Sequence, residues 1–230
     1  MKRFTRMISL VLVLCMVFSL LPMAFAAEKY DELGSGKTVI LHSNDVHGEI
    51  TGYAYMKALK TKLEAAGAEV ILADAGDYSQ GETSVSLTKG ANAVDMMNAV
   101  GYDVVTLGNH EFDYGYPQLM ENMNKANFKV LCADVLDEKG VPVFDANTII
   151  EKGGVKIGFL GLETPETQTK ANPALIKGLT FLTDSTDPTI WYKAQAEVNA
   201  LKASGADIVV CLSHLGVDAS SKPYRSNDLY

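Results

Sequence analysis

The sequence predicts an α/β fold with at least partly mixed sheets. Two patterns carry that expectation. Short apolar runs alternate with stretches of helical period through the first half of the chain, which calls for crossovers and parallel pairing. In the second half, Lys152-Gly153-Gly154 separates two further apolar runs, a hairpin signal that adds antiparallel strands. The 230 residues are enough for one substantial core, and no internal repeat or second globular domain interrupts them.

Residues 1–26 stand apart. Lys2, Arg3 and Arg6 form a basic start, Ile8 to Leu21 is almost wholly apolar, and Ala24-Phe25-Ala26 is a small-x-small cleavage site. The apolar run is short for a membrane span. The expectation is a secretory signal peptide cut after Ala26, with an uncleaved N-terminal anchor as the alternative. Cys15 is not read as a lipidation site, because Leu14 is too large for the preceding position. Cleavage leaves a secreted, extracytoplasmic chain with no stable membrane anchor. Residues 27–37 are polar and glycine-containing, a flexible lead-in. Residues 38–230 form the remaining domain.

Within that domain the elements follow in order. Thr38 to Leu41 is the first strand. Tyr53 to Ala66 places Met56, Leu59, Leu63 and Ala66 near helical spacing, and Gly67 stops it. Glu69 to Ala73 is the next strand. Ala91 to Val100 is a helix with Val94, Met97 and Val100 on one face, stopped by Gly101. Asp103 to Leu107 reads as a buried strand, Tyr116 to Asn127 as a helix and Lys129 to Cys132 as a strand. The hairpin joins Asn147–Glu151 to Val155–Leu162. Thr164 to Thr183 is rich in Thr, Pro and Gly and reads as a loop. Asp187-Pro188 reads as an N-cap and first turn for a long helix to about Ala203. Ile208 to Leu212 is the last strand, and Asp218 to Tyr230 shows no period.

The formal net charge is −8, and losing Lys2, Arg3 and Arg6 makes it more negative. Such a chain does not hold nucleic acid through its general field. An anionic phosphate would have to be drawn by local cations, and bound metal is the obvious source. Cys132 and Cys211 sit in apolar runs and read as buried thiols rather than a bridge. Neither has the spacing of a zinc pair.

Four strand ends carry chemistry: Asp45 and His47, Asp77, Asn109 with His110 and Asp113, and His214. Open α/β sheets bind ligands at such ends. Taken singly, each is a polar turn. Together, carboxylate and amide oxygens mixed with imidazole suit zinc, manganese or iron. Asp77, on its own glycine-flanked loop, is suited to bridge two divalent ions that clamp a phosphate. Asp113 can hold the His110 imidazole in one tautomer, ready to protonate a leaving oxygen.

Asp45-x-His47-Gly48, Gly76-Asp77-x-x-x-Gly81, Gly108-Asn109-His110-Glu111-x-Asp113 and Ser213-His214-x-Gly216 resemble the calcineurin-like metallophosphoesterases. More closely, they are similar to the N-terminal catalytic domain of the 5′-nucleotidase / UDP-sugar hydrolase / 2′,3′-cyclic-nucleotide phosphodiesterase family. The likeness runs from about Thr38 to Gly216. It implies a two-sheet sandwich of mixed sheets flanked by helices, with a dinuclear site at the strand ends. Asp45 and His47 would bind the first metal, Asp77 both, and Asn109 and His214 the second. His110 and Asp113 would be the catalytic pair, and a metal-activated water the nucleophile. The implied substrate is a nucleotide or another small phosphate ester.

Members of that family continue to a further strand ending in Gly-His-Ser/Thr-His or -Gln. This chain reaches Tyr230 without it, so the resemblance implies a domain incomplete at its C-terminus, with three protein ligands per ion. The alternative function is therefore an inactive or fragmentary metal-binding remnant that needs the missing portion. A sulfur ester in place of a phosphate also stays open. Other polar residues have blander readings. His42 reads as structural, Glu111 as fixing its loop and Asn44 as capping the turn that carries Asp45. Asp74 is either a hydrogen-bond acceptor behind the site or a solvated loop carboxylate.

Overall fold

The computed structural model describes residue 32 and residues 34–217. The expected signal peptide and the tail from Asp218 lie outside the described residues. The first half runs β1 (Thr38–Ser43), α1 (Ile50–Ala65), β2 (Glu69–Asp74), α2 (Thr83–Ser86), α3 (Ala91–Val100), β3 (Val104–Val105), a 3₁₀ turn (Asn109–Phe112), α4 (Tyr116–Met123) and β4 (Lys129–Val130). The second half runs β5 (Val135–Leu136), β6 (Asn147–Lys152), β7 (Val155–Leu162), α5 (Thr167–Lys170), β8 (Thr180–Phe181), α6 (Ile190–Ala203) and β9 (Ile208–Ser213).

The β-α alternation yields one sheet, β1-β2-β3-β4, and it is parallel throughout. Mixing is confined to β6-β7-β9, where β7 pairs antiparallel with β6 and parallel with β9. The Gly153-Gly154 turn of that hairpin takes φ of 58° and 77°, a conformation glycine adopts without strain. The two expected sheets are accompanied by a small two-stranded pairing of β5 with β8.

β7 explains how the layers stack. Ile157 and Phe159 face the parallel sheet and join Ile71, Ala73, Val104 and Leu131 in one cluster. Leu160 and Leu162 face the other way, with Ile190, Ala194 and Leu201 of α6. A strand covered on both sides needs a near-continuous apolar run rather than alternation, which is what β7 has. The opposite face of the parallel sheet packs Leu72 and Val105 against Val94 and Met97 of α3 and Leu119 of α4. The order of layers is helices, parallel sheet, mixed sheet, helix. This places the C-terminal ends of β1, β2 and β3 beside the end of β9.

Several expected boundaries shift. The Thr164–Thr183 stretch is not plain loop: it holds α5 and β8, because Ile176 and Phe181 are buried and tie it down. The cap of α6 is Thr189, whose hydroxyl accepts from the Tyr192 N–H at 3.2 Å, so Asp187 and Pro188 precede the helix. α4 ends at Met123 rather than Asn127. Regular pairing of β3 and β4 covers only two residues each, although Thr106 still donates its N–H to the Asp74 carbonyl. Cys132 and Cys211 are free thiols, the first buried and the second half-buried. Among the described residues no helix is long and apolar enough to cross a membrane.

Candidate active site

The loops that follow β1 and β2 run side by side. Ser43 and Asp74 are paired in register at the strand ends. Beyond them, Asp45 N–H donates to the Gly76 carbonyl and His47 N–H to the Asp77 carbonyl, both at 3.0 Å. Asp45, His47 and Asp77 have φ of 52°, 49° and 62°, the left-handed region that side chains other than glycine rarely adopt. Such strain clusters at functional sites, where surrounding contacts hold it.

The third loop, after β3, is drawn in by Glu111. Its Oε2 accepts the N–H of Asp77 at 2.8 Å and of Gly108 at 2.6 Å, and its Oε1 accepts those of Tyr78 and Ser79, each at 2.9 Å. The carboxylate is 2% exposed. The loop-fixing reading of Glu111 holds, and the loop it fixes belongs to Asp77. Gly108 lies against the Asp77 side chain, and a Cβ there would meet Asp77 Oδ1 at 2.3 Å. The fourth loop, after β9, is tied by His214 N–H to the Leu162 carbonyl at 3.0 Å.

An open cleft of about 1000 Å³ results, lined by Asp45, Asp77, Asn109, His110, Asp113 and His214. His47 is not part of that lining, but its Nε2 stands 3.9 Å from both Asp45 Oδ1 and Asp77 Oδ2. His214 Nε2 is 3.2 Å from Asp77 Oδ2. The His47 and His110 rings meet edge to face with centroids 5.2 Å apart. Two ligand groups capable of holding a metal emerge: Asp45, Asp77 and His214, and His47, Asp77 and His110. Asp77 is common to both.

The imidazoles are oriented from behind. His47 Nδ1 donates to the Gln80 carbonyl at 3.1 Å and His214 Nδ1 to the Ala75 carbonyl at 2.8 Å. A carbonyl only accepts, so each Nδ1 carries its proton and Nε2 is the nitrogen turned toward the cleft carboxylates. His110 Nδ1 meets Asp113 Oδ2 at 2.6 Å. His110 N–H also donates to Asp77 Oδ1 at 2.9 Å.

Burial alone would lift the Asp77 carboxyl, but the His214 ring and the His110 N–H outweigh it and hold it below the usual carboxylate range. Burial would lower His214, but the Asp77 carboxylate overrides it and pushes the ring up to about 9. In the metal-free protein these two form an ion pair. Glu111 is raised, chiefly by burial and then by the nearby Asp77 charge, against its backbone donors.

Other residues depart from the sequence reading. His42 is exposed and lines the cleft rather than the core. Asp74 is fully buried, which removes the solvated alternative. Thr164, Glu166 and Lys170 also line the cleft, from a stretch whose Thr, Pro and Gly content masked them. The Ser43–Tyr102 hydrogen bond and the Glu163 N–H donated to Asp134 were not legible, because each joins residues far apart in sequence.

The family model described as bacterial capsule synthesis protein PGA_cap matches residues 54–228. A 5′-nucleotidase of Vibrio cholerae is 32% identical over 202 residues, covering 83% of this chain and 36% of the relative. The structure of a 5′-nucleotidase precursor from Thermus thermophilus is 31% identical, with a TM-score of 0.67, covering 77% of this chain and 37% of that one. The structure of the calcineurin-like phosphoesterase YfkN from Bacillus subtilis is 26% identical, with a TM-score of 0.65, covering 78% of this chain and 62% of that one. The chain spans about a third of the length of the curated relatives it matches. The chain belongs to the family described as bacterial capsule synthesis protein PGA_cap and, with its 5′-nucleotidase relatives, to the calcineurin-like metallophosphoesterases.

Proposed function

We propose that the chain is a secreted, metal-dependent phosphoesterase acting on nucleotides, in the manner of the 5′-nucleotidases it resembles. Residues 1–26 are its signal peptide, 27–37 a lead-in and 38–230 the catalytic domain. Asp45, His47, Asp77, Asn109 and His214 hold two divalent ions, zinc, manganese or similar. The observation that carries this reading is the place of Asp77 in both ligand groups. The donor set fits: buried carboxylate, amide oxygen, and imidazoles whose Nδ1 atoms are already committed to carbonyls. Bound there, the ions would supply Lewis acidity toward phosphoryl oxygens and a water made nucleophilic at neutral pH.

The chain's own residues do the rest. Asp77, kept ionised, would offset part of the charge of the cations. Asp113 holds His110 by Nδ1, so Nε2 is the nitrogen that passes a proton to the leaving oxygen. The cleft, open to water, admits a small ester.

The test is direct. Mature protein, residues 27–230, is incubated with adenosine monophosphate and a generic phosphate ester, with manganese or zinc and with chelator. Metal-dependent phosphate release that chelator abolishes is expected. Release no faster than a metal-only blank refutes the reading. A second reading, in which metal is held but turnover needs sequence outside this stretch, is supported by the one-third share of the relatives that the chain spans. Metal binding without turnover selects it.

A further inference from the structure

We infer that Asp74 is a positioning residue for the metal-ligand loops, acting on Asp77 through Gly76 and on Asp45 through Ser43. The inference rests on the reading that these loops hold metal. Asp74 closes β2 and is completely buried. Its Oδ1 accepts the Gly76 N–H at 2.8 Å. Its Oδ2 is 2.6 Å from Ser43 Oγ, the last side chain of β1. Ser43 Oγ is also 2.6 Å from the Tyr102 hydroxyl, which extends the chain of hydrogen bonds to the start of β3.

Both loops leave the sheet at this pair. Asp74 therefore touches the root of each one. The strained residues Asp45, His47 and Asp77 sit two to four positions further on, and they persist only if their surroundings fix them. The loops are also laced together, since Ala75 N–H donates to the Ser43 carbonyl at 2.9 Å in addition to the two links beyond it. A shift at one root thus displaces both ligand sets.

The residue type supports a polar role. Ile71, Leu72 and Ala73 precede it on β2 and are all apolar and buried. A carboxyl in that row is unfavourable unless its hydrogen bonds repay the burial. Burial pushes Asp74 up to about 8, against the Ser43 and Gly76 hydrogen bonds. Asparagine has nearly the same volume and keeps an oxygen for the Gly76 N–H and a hydrogen-bonding group toward Ser43. In Asp74→Asn the amide oxygen still accepts from Gly76, and the amide nitrogen donates to Ser43, whose hydroxyl turns to Tyr102.

The experiment is amide hydrogen exchange on the full chain in chelator, followed by manganese titration. Asp74→Ala is compared with Asp74→Asn and with Asn98→Ala. Asn98 makes two backbone hydrogen bonds near α4, away from the cleft, and so controls for general loss of stability. Asp74→Ala is expected to speed exchange at Asp45, His47 and Asp77 about tenfold, the loss of one buried hydrogen bond read as local opening. Ile71 and Leu72 are expected to hold their rates. Asp74→Asn and Asn98→Ala leave the loops as in wild type. Manganese affinity of Asp74→Ala falls about 10- to 100-fold. If Asp74→Ala does not fold, Ser43→Ala, which cuts one link only, is read at Asp45 instead. Loop exchange unchanged in Asp74→Ala, or in Ser43→Ala where it replaces it, overturns the inference, as does Asp74→Asn behaving like Asp74→Ala. If wild type takes up no manganese, the metal reading fails, while loop exchange still decides the role of Asp74.

Discussion

Glu111 Oε2 accepts the backbone N–H of Asp77 at 2.8 Å, so a side chain on the third loop holds the central carboxylate of the second. The same carboxyl takes three more backbone donors, from Gly108, Tyr78 and Ser79. In Glu111→Gln an NH₂ group must face two of these N–H groups. The variant is expected to lose about 1–3 kcal/mol of stability by urea denaturation and to bind metal more weakly. Unchanged stability and metal affinity would show that the four contacts are incidental.

The acid–base groups behind the cleft predict how the metal-free protein responds to pH. Burial, against local hydrogen bonds, raises Asp74 to about 8 and Asp134 to about 7, and drives Glu163 well above its usual range. Each binds more protons folded than unfolded between its ordinary pKa and its folded one, so each makes stability fall as pH rises through that window. His214, raised to about 9, acts in the same direction: its contribution is complete below about 6.5 and is lost on approach to 9. Asp77 is lowered and works the other way, but only below its ordinary value of 3.8. In chelator, the urea midpoint should be higher at pH 5 than at pH 8. A higher midpoint at pH 8 would contradict the buried-carboxyl assignments.

Metal uptake should release protons. A His214 ring protonated by its pairing with Asp77 must lose that proton before Nε2 can bind an ion. Titration calorimetry at pH 7 in buffers of different ionisation enthalpy should report a net release, and affinity should rise with pH up to about 9. A heat independent of buffer would mean that His214 is already neutral or takes no part.

His110 and Asp113 should separate chemistry from binding. His110→Ala is expected to lower kcat about 10²- to 10⁴-fold with little change in KM, and Asp113→Asn to act in the same direction by releasing Nδ1. Steady-state assay with manganese checks this. A loss confined to KM would move the pair from proton transfer to substrate binding.

Much of the fold was legible because it depends on local pattern. The runs of β1 and β2 and the period of α3 sit where the sequence places them. The two-residue strands were not, since β5 and β8 exist through pairing with each other across a stretch whose composition reads as loop. The candidate site residues stood out because turn residues after apolar runs carry donor atoms, and six of those seven side chains line one cleft. What holds them was less legible. Nothing near Ser43 in sequence signals Tyr102, and Asp74 resembles any other loop-edge carboxylate until its burial is known. Lys170 and Thr164 reach the cleft only through the tertiary path of the Thr164–Thr183 stretch.

Oxygen and imidazole donors converge on Asp77, where they would hold a pair of divalent ions. The most direct measurement of that arrangement is the anomalous signal in crystals grown with manganese or zinc, for wild type and Asp77→Asn. Two peaks within ligand distance of Asp77 in wild type, with both lost in Asp77→Asn, is the predicted result. Peaks absent from the cleft, or unchanged in Asp77→Asn, would contradict it.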